Sequence, residues 1–84
     1  MYKVIYYQEE REGQSKVEKE YDLGELFRLK TNALHYVREI VQSDYREKGY
    51  ATENLVGGIF CYKSEKNSNE VRKITTITIK VEKI

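Results

Sequence analysis

Tyr2-Lys3-Val4-Ile5-Tyr6-Tyr7-Gln8, running into Glu9-Glu10-Arg11-Glu12-Gly13, is the stretch whose reading decides the fold. Val, Ile and Tyr suit a pleated, half-buried surface, and a charged run ending in glycine is where such a strand turns. Apolar side chains fall on both parities here: Tyr2, Val4 and Tyr6 on one face, and Ile5 and Tyr7, beside Lys3, on the other. A strand that is apolar on both sides requires cover on both. A helix of the same chain can cover one side. In a short chain the other side calls for a partner.

Residues 16–23 alternate, with Val17, Tyr21 and Leu23 beside Lys19 on one side and Glu18, Glu20 and Asp22 on the other. That is a half-solvated strand, and with 2–8 it predicts a β-hairpin. Beyond Gly24, Glu25-Leu26-Phe27-Arg28-Leu29 reads as the strand resumed past a bulge in preference to a lead-in to the helix. The helix follows over 32–48. Thr31 or Asn32 supplies its cap, and Ala33, Leu34, Val37, Ile40, Val41 and Tyr45 form one apolar stripe. Lys48 suits the negative end of the helix dipole and Gly49 its left-handed stop. His35, Arg38, Glu39, Gln42, Ser43 and Arg46 make the solvated side.

Leu55-Val56-Gly57-Gly58-Ile59-Phe60-Cys61-Tyr62 reads as a third strand, weakened or bent by its two glycines, and 63–70 as a polar loop. Residues 72–84 alternate again, with Ile77, Ile79 and Val81 against Thr76, Thr78, Lys80 and Glu82. Ile74 is out of phase with Ile77, which predicts a bulge near Thr75. The order is ββαββ. The expected fold is α+β, a four-stranded, largely antiparallel sheet with one helix packed on one face, and residues 1–84 form a single domain.

Composition narrows the function. A chain of 84 residues leaves little material for a deep catalytic cleft beside a full core. Fifteen basic against fourteen acidic residues leave no basic excess of the kind that nucleic-acid binding exploits. No apolar run reaches the ~18 residues of a membrane helix and no leader precedes Tyr2, so the expected location is the cytoplasm, away from the membrane. One cysteine, Cys61, excludes an internal disulfide and fits a reducing compartment.

No set of residues predicts catalysis, a metal or a cofactor. His35 is the only histidine and has no second ligand or nucleophile at a useful spacing. Cys61 sits in an apolar strand and reads as a small hydrophobe. Gly57-Gly58 lacks the lysine and the following helix of a phosphate loop, and reads as a bend or a close approach of another backbone. Glu9, Glu10 and Glu12 have no calcium-loop spacing and read as a solvated turn.

Eight tyrosines and two phenylalanines direct attention to binding. On an open sheet face Tyr7, with Phe60 or Tyr62, could stack single-stranded bases, flanked by Lys3, Lys63, Arg72 and Lys80. Glu18, Glu20 and Glu82 oppose that reading, and tyrosine serves protein interfaces equally well. Protein binding is the favoured expectation. Taking lysines and threonines as outward markers, Lys3, Lys63, Thr76, Thr78 and Lys80 point away from the helix. Tyr2, Val4, Tyr6, Phe60, Tyr62, Ile77, Ile79 and Val81 then face it, and the uncovered face shows Ile5, Tyr7, Ile59 and Cys61. Lys3, Ile5, Tyr7, Ile59, Thr76, Thr78 and Lys80 are therefore the expected protein-binding residues. A homodimer mate is another way of covering that face.

Tyr2-Lys3-Val4 with Tyr7-Gln8, the charged hairpin, Leu26-Phe27, Thr31 leading to Val37-Arg38, and Tyr62-Lys63-Ser64-Glu65 after an apolar strand resemble the epsilon accessory subunit of RNA polymerase in low-GC Gram-positive bacteria. The likeness follows most of the chain in order. This chain is longer, has one residue inserted near the second strand, and ends in a threonine-rich strand over 73–84 with no counterpart. The resemblance implies a non-catalytic, β-rich polypeptide that docks on the polymerase core, and it extends to small phage proteins that bind host polymerase. A regulator from a phage or plasmid with an unrelated partner shares those features.

Overall fold

A computed structural model describes residues 1–84 as five antiparallel strands and one helical segment. The strands are β1 (Tyr2–Glu12), β2 (Ser15–Phe27), β3 (Ala51–Leu55), β4 (Gly58–Lys66) and β5 (Arg72–Lys83). The fold is α+β with the helix on one face, and the sheet has five strands where the sequence predicted four. The extra strand lies before the predicted third one and shares only Leu55 with it. Gly57 takes a φ of +80°, which glycine adopts freely, and Val56-Gly57 turn the chain so that Leu55 pairs with Gly58. The polar run Ala51-Thr52-Glu53-Asn54 thereby becomes an edge strand.

The sheet order is β2-β1-β5-β4-β3, so the first and last strands pair at its centre. Val4 stands opposite Val81, Tyr6 opposite Ile79 and Gln8 opposite Ile77, while Ile79 and Ile77 stand opposite Ile59 and Cys61. These residues form one core with Ala33, Val37 and Val41 of the helix. Val4, Val37, Cys61 and Ile79 are wholly buried. Register between β1 and β5 is unbroken from Glu12 to Tyr2, so the predicted bulge at Thr75 is absent. Ile74 simply points to the other face. The irregularity lies in β2, where Ile5 pairs with Asp22 and Lys3 with Leu26, leaving Gly24 at a φ of +82° in the displaced segment. Residues 25–27 resume the strand, as the sequence predicted.

The helical segment covers 30–48 in three parts: α1 (Lys30–Ile40), a π turn (Val41–Tyr45) and a 3₁₀ turn (Arg46–Lys48). It begins two residues before the predicted start. Leu29 occupies the cap position with no side-chain hydrogen bond, so Thr31 and Asn32 lie within the first turn and do not cap it. Packing of Ala33, Val37 and Val41 therefore stabilises this helix more than local capping does. The Ser43 hydroxyl donates to the Glu39 carbonyl at 3.0 Å, competing for an acceptor of the helical ladder. Gly49 ends the segment at a φ of +87°, as predicted. No helix is long and apolar enough to cross a membrane.

Candidate protein-docking face

The face of the sheet away from the helix is the candidate site, and strand parity determines what it carries. Lys3, Ile5 and Tyr7 of β1 lie there because Val4 and Tyr6 are committed to the core. Thr76, Thr78 and Lys80 of β5 join them by register. Ile59 does not. It is 5% exposed on the helix side with Cys61, while Phe60 and Tyr62 lie on the open face, which corrects the predicted assignment of β4.

Lys63 caused the inversion. Lysine in a strand is an outward marker by default, yet Lys63 shares the helix side with Ile59 and Cys61. Its ammonium donates to the Lys48 carbonyl at 3.0 Å and lies 5.5 Å from the centre of the Tyr50 ring. A cation there satisfies a free carbonyl at the negative end of the helical segment, and its aliphatic stem crosses the margin of the core. Glu65, 2.9 Å away, holds the Lys63 ammonium above the ordinary lysine range. The cysteine was the better guide, since free cysteine is among the most buried residue types. Burial raises the Cys61 thiol above its ordinary pKa, as expected of a packing residue.

The open face therefore bears three aromatic rings. Tyr7, Thr78 and Phe60 stand in one row across β1, β5 and β4, and Glu9, Thr76 and Tyr62 in the next. Phe60 and Tyr62 stack along β4 with ring centres 6.4 Å apart. Tyr62 is 50% exposed, and Leu26 and Ile74 also show exposed apolar surface on this face. Ile5 lies on the predicted face but is 7% exposed, between Asp22 and Lys80 in register, so it supports the face from below more than it offers contact area.

Charge is arranged by strand. Lys16 reaches Glu18 at 2.9 Å and Glu9 at 3.1 Å, and Arg11 donates to Glu9 at 3.0 Å. Hydrogen bonds from Lys16 and then Arg11 hold the Glu9 carboxyl below its ordinary value, and those from Lys16 and then Tyr7 do the same for Glu18. Desolvation, then the bond to Glu18, raises the Tyr7 phenol. A shallow depression of about 230 Å³ lined by Glu9, Arg11, Ile74 and Thr76 lies beside this cluster.

On the other side of the molecule, a cleft of about 360 Å³ runs between the helix and β3, bordered by His35, Arg38, Glu39, Gln42, Arg46 and Asn54. His35 meets only Glu39, at 3.0 Å, with both side chains exposed. No three His, Cys, Asp or Glu side chains converge as metal ligands. Against family models, the curated proteins and the solved structures, the chain finds no match.

Proposed function

We propose that this protein is a non-catalytic binding module that docks on a larger protein through the sheet face opposite the helix, and that the partner is the RNA polymerase core. One observation carries the docking reading: Tyr7, Phe60, Tyr62 and Ile74 share a face that no other part of the chain covers. Half-exposed rings among threonines and paired charges are the composition of a protein interface, in which rigid aromatic side chains provide area and hydrogen bonds at low entropic cost. With extents of 48 × 22 × 19 Å the face can supply the roughly 800 Å² per partner of a standard interface. The choice of polymerase rests on the resemblance over the first strand, Leu26-Phe27, Thr31, Val37-Arg38 and 62–65.

Affinity purification at moderate salt tests the proposal. Core polymerase subunits co-purify with the unaltered chain, and the Tyr7→Ala/Tyr62→Ala pair reduces their yield while leaving the fold intact. Polymerase subunits missing from the unaltered sample would remove the polymerase reading. A second reading has one observation in its favour, since Tyr7, Phe60 and Tyr62 on one face form a platform on which bases could stack. Glu9, Glu18, Glu20, Asp22 and Glu82 surround that platform and repel phosphate. Oligonucleotide binding that weakens steeply with salt would favour this second reading.

A further inference from the structure

The two edges of the sheet are unequal. One is β3, with five residues, and the other is β2, with thirteen. Register between β1 and β2 is continuous from Glu12 opposite Ser15 to Ile5 opposite Asp22, and every residue of 15–22 is exposed. Every second residue of that run directs its N–H and C=O away from β1, into solvent. Natural sheets protect such edges by shortness, proline, a bulge or a covering loop. Here the run is long, the chain has no proline, the irregularity begins only beyond Asp22, and nothing lies across it. Charged side chains are the only guard left, and on the open face Glu18, Glu20 and Asp22 outnumber Lys16. On the open-face side Lys16 is paired with Glu18, whereas Glu20 and Asp22 have no cationic partner. On the helix side Val17 and Tyr21 flank Lys19 and are 51% and 50% exposed.

We propose that the free edge of β2 over 16–22 accepts an extended segment of a different polypeptide as a sixth strand. That segment carries basic residues at alternate positions toward the open face, and apolar residues between them toward the helix side. Residues directly opposite in an antiparallel pair share a face, so lysine or arginine comes to stand against Glu20 and Asp22, and an apolar side chain against Tyr21. The edge argues against a second copy of itself. In a two-fold antiparallel pair each residue opposes one of its own parity, and the dyad with the longest overlap over 16–22, at Lys19, sets Glu18 against Glu20 twice and Lys19 against itself, outnumbering the two complementary pairs of Lys16 with Asp22. Like charges directly opposed destabilise a strand pair. This edge borders the aromatic face, where Glu20 stands opposite Tyr7, but the inference does not depend on polymerase being the partner.

The probe is a blocked Lys-Val-Arg-Val-Lys-Val-Arg-Val peptide, with Glu-Val-Glu-Val-Glu-Val-Glu-Val as its counterpart. Amide exchange is followed by NMR on the full chain at low salt. The basic peptide is expected to slow exchange at alternate amides within 16–22 and the acidic one to leave them unchanged. Glu20→Lys/Asp22→Lys weakens the basic peptide by roughly three- to thirtyfold and preserves the melting temperature, because both side chains are exposed. Unchanged exchange in 16–22, equal protection by the two peptides, or protection that grows with protein concentration alone would each overturn the proposal, the last in favour of a second copy. Failure to recover polymerase with the edge protected by the basic peptide removes the polymerase reading alone. Recovery of polymerase with an inert edge removes this inference alone.

Discussion

The parity of β4 decides which residues a partner can touch, and paired truncations measure it. Ile59 is 5% exposed, in one cluster with Val37, Val41 and Ile79, so Ile59→Ala deletes buried methyl and methylene groups and leaves a cavity. Such a change costs about 2–5 kcal/mol. Tyr62 is 50% exposed and its main ring neighbour is Phe60 at 6.4 Å, so Tyr62→Ala opens no cavity and forfeits about 1 kcal/mol of partial burial and stacking. Domains of this size are stable by roughly 4–12 kcal/mol, so the first change consumes a large share of the total and the second does not. Urea unfolding followed by circular dichroism gives both numbers, with Ile59→Val, expected at about 0.5–1.5 kcal/mol, as a variant certain to leave enough folded protein to titrate. Equal slopes against urea confirm that the variants unfold from the same compact state. A Tyr62→Ala cost above that of Ile59→Ala would mean that β4 presents its other side to the helix, and the aromatic docking face would go with it.

Gly58 separates from Gly57 by mechanism. A Cβ on Gly58 would stand 2.5 Å from the Ile79 carbonyl oxygen and 2.9 Å from the Lys80 Cα, both backbone, so Gly58→Ala pushes β5 away and costs roughly 2–3 kcal/mol. Gly57→Ala meets nothing nearer than 3.9 Å and costs only the positive φ, about 1 kcal/mol; the reverse order in thermal melts would remove the close approach. Acid should loosen the far end of the β1–β2 hairpin. The Glu9 and Glu18 carboxyls are held below their ordinary value of 4.5, so the stability they contribute is complete above that value and is lost as pH falls through their lower folded values. Amide exchange over 9–19, corrected for its intrinsic pH dependence, rises on acidification below about pH 5 in the unaltered chain. In Glu9→Gln/Glu18→Gln that rise is flattened, and an unchanged profile in the double variant would show that these ion pairs do not hold the hairpin.

Most of the fold was legible wherever polar residues within a strand mark one of its parities. β1 was legible because Val4 and Tyr6 agree with the helix stripe, and β5 because Ile77, Ile79 and Val81 stand against threonines. Ile59-Phe60-Cys61-Tyr62 is apolar on both parities, so periodicity is silent there, and a single lysine tipped the choice the wrong way. Lys63 is occupied by the Lys48 carbonyl, a contact 15 residues distant that no local pattern encodes. The fifth strand was hidden for a related reason. Ala51-Thr52-Glu53-Asn54 has almost no apolar content and is a strand only because β4 offers it a ladder. The residues of the open face divide in the same way. Lys3, Tyr7, Thr76, Thr78 and Lys80 follow from the parity of β1 and β5. Phe60 and Tyr62 needed the turn at Gly57 and the partner of Lys63.

The sheet is longer than the helix that covers it, and this mismatch creates both candidate surfaces. Core side chains end at Tyr6, Cys61 and Ile77, with the half-exposed Tyr21 stacked on Tyr6 at 4.7 Å. Past that line the helix side becomes polar, and the Tyr6 hydroxyl donates to Gln8 at 2.6 Å while Gln8 donates to Glu10 at 2.7 Å. Burial of the Tyr6 ring, which raises its phenol far above the ordinary value, marks the last apolar contact on that strand. Beyond it the hairpin is held by backbone ladders and by exposed ion pairs that solvent screens. Strand pairing without a packed face is marginal in isolation, so this end is the least stable part of the sheet and the part that gains most from an added strand or a covering partner. A domain selected only for its own stability would end its strands where the helix ends. Extending β1 and β2 past the core adds edge and face but almost no core, the arrangement that the proposed docking role calls for.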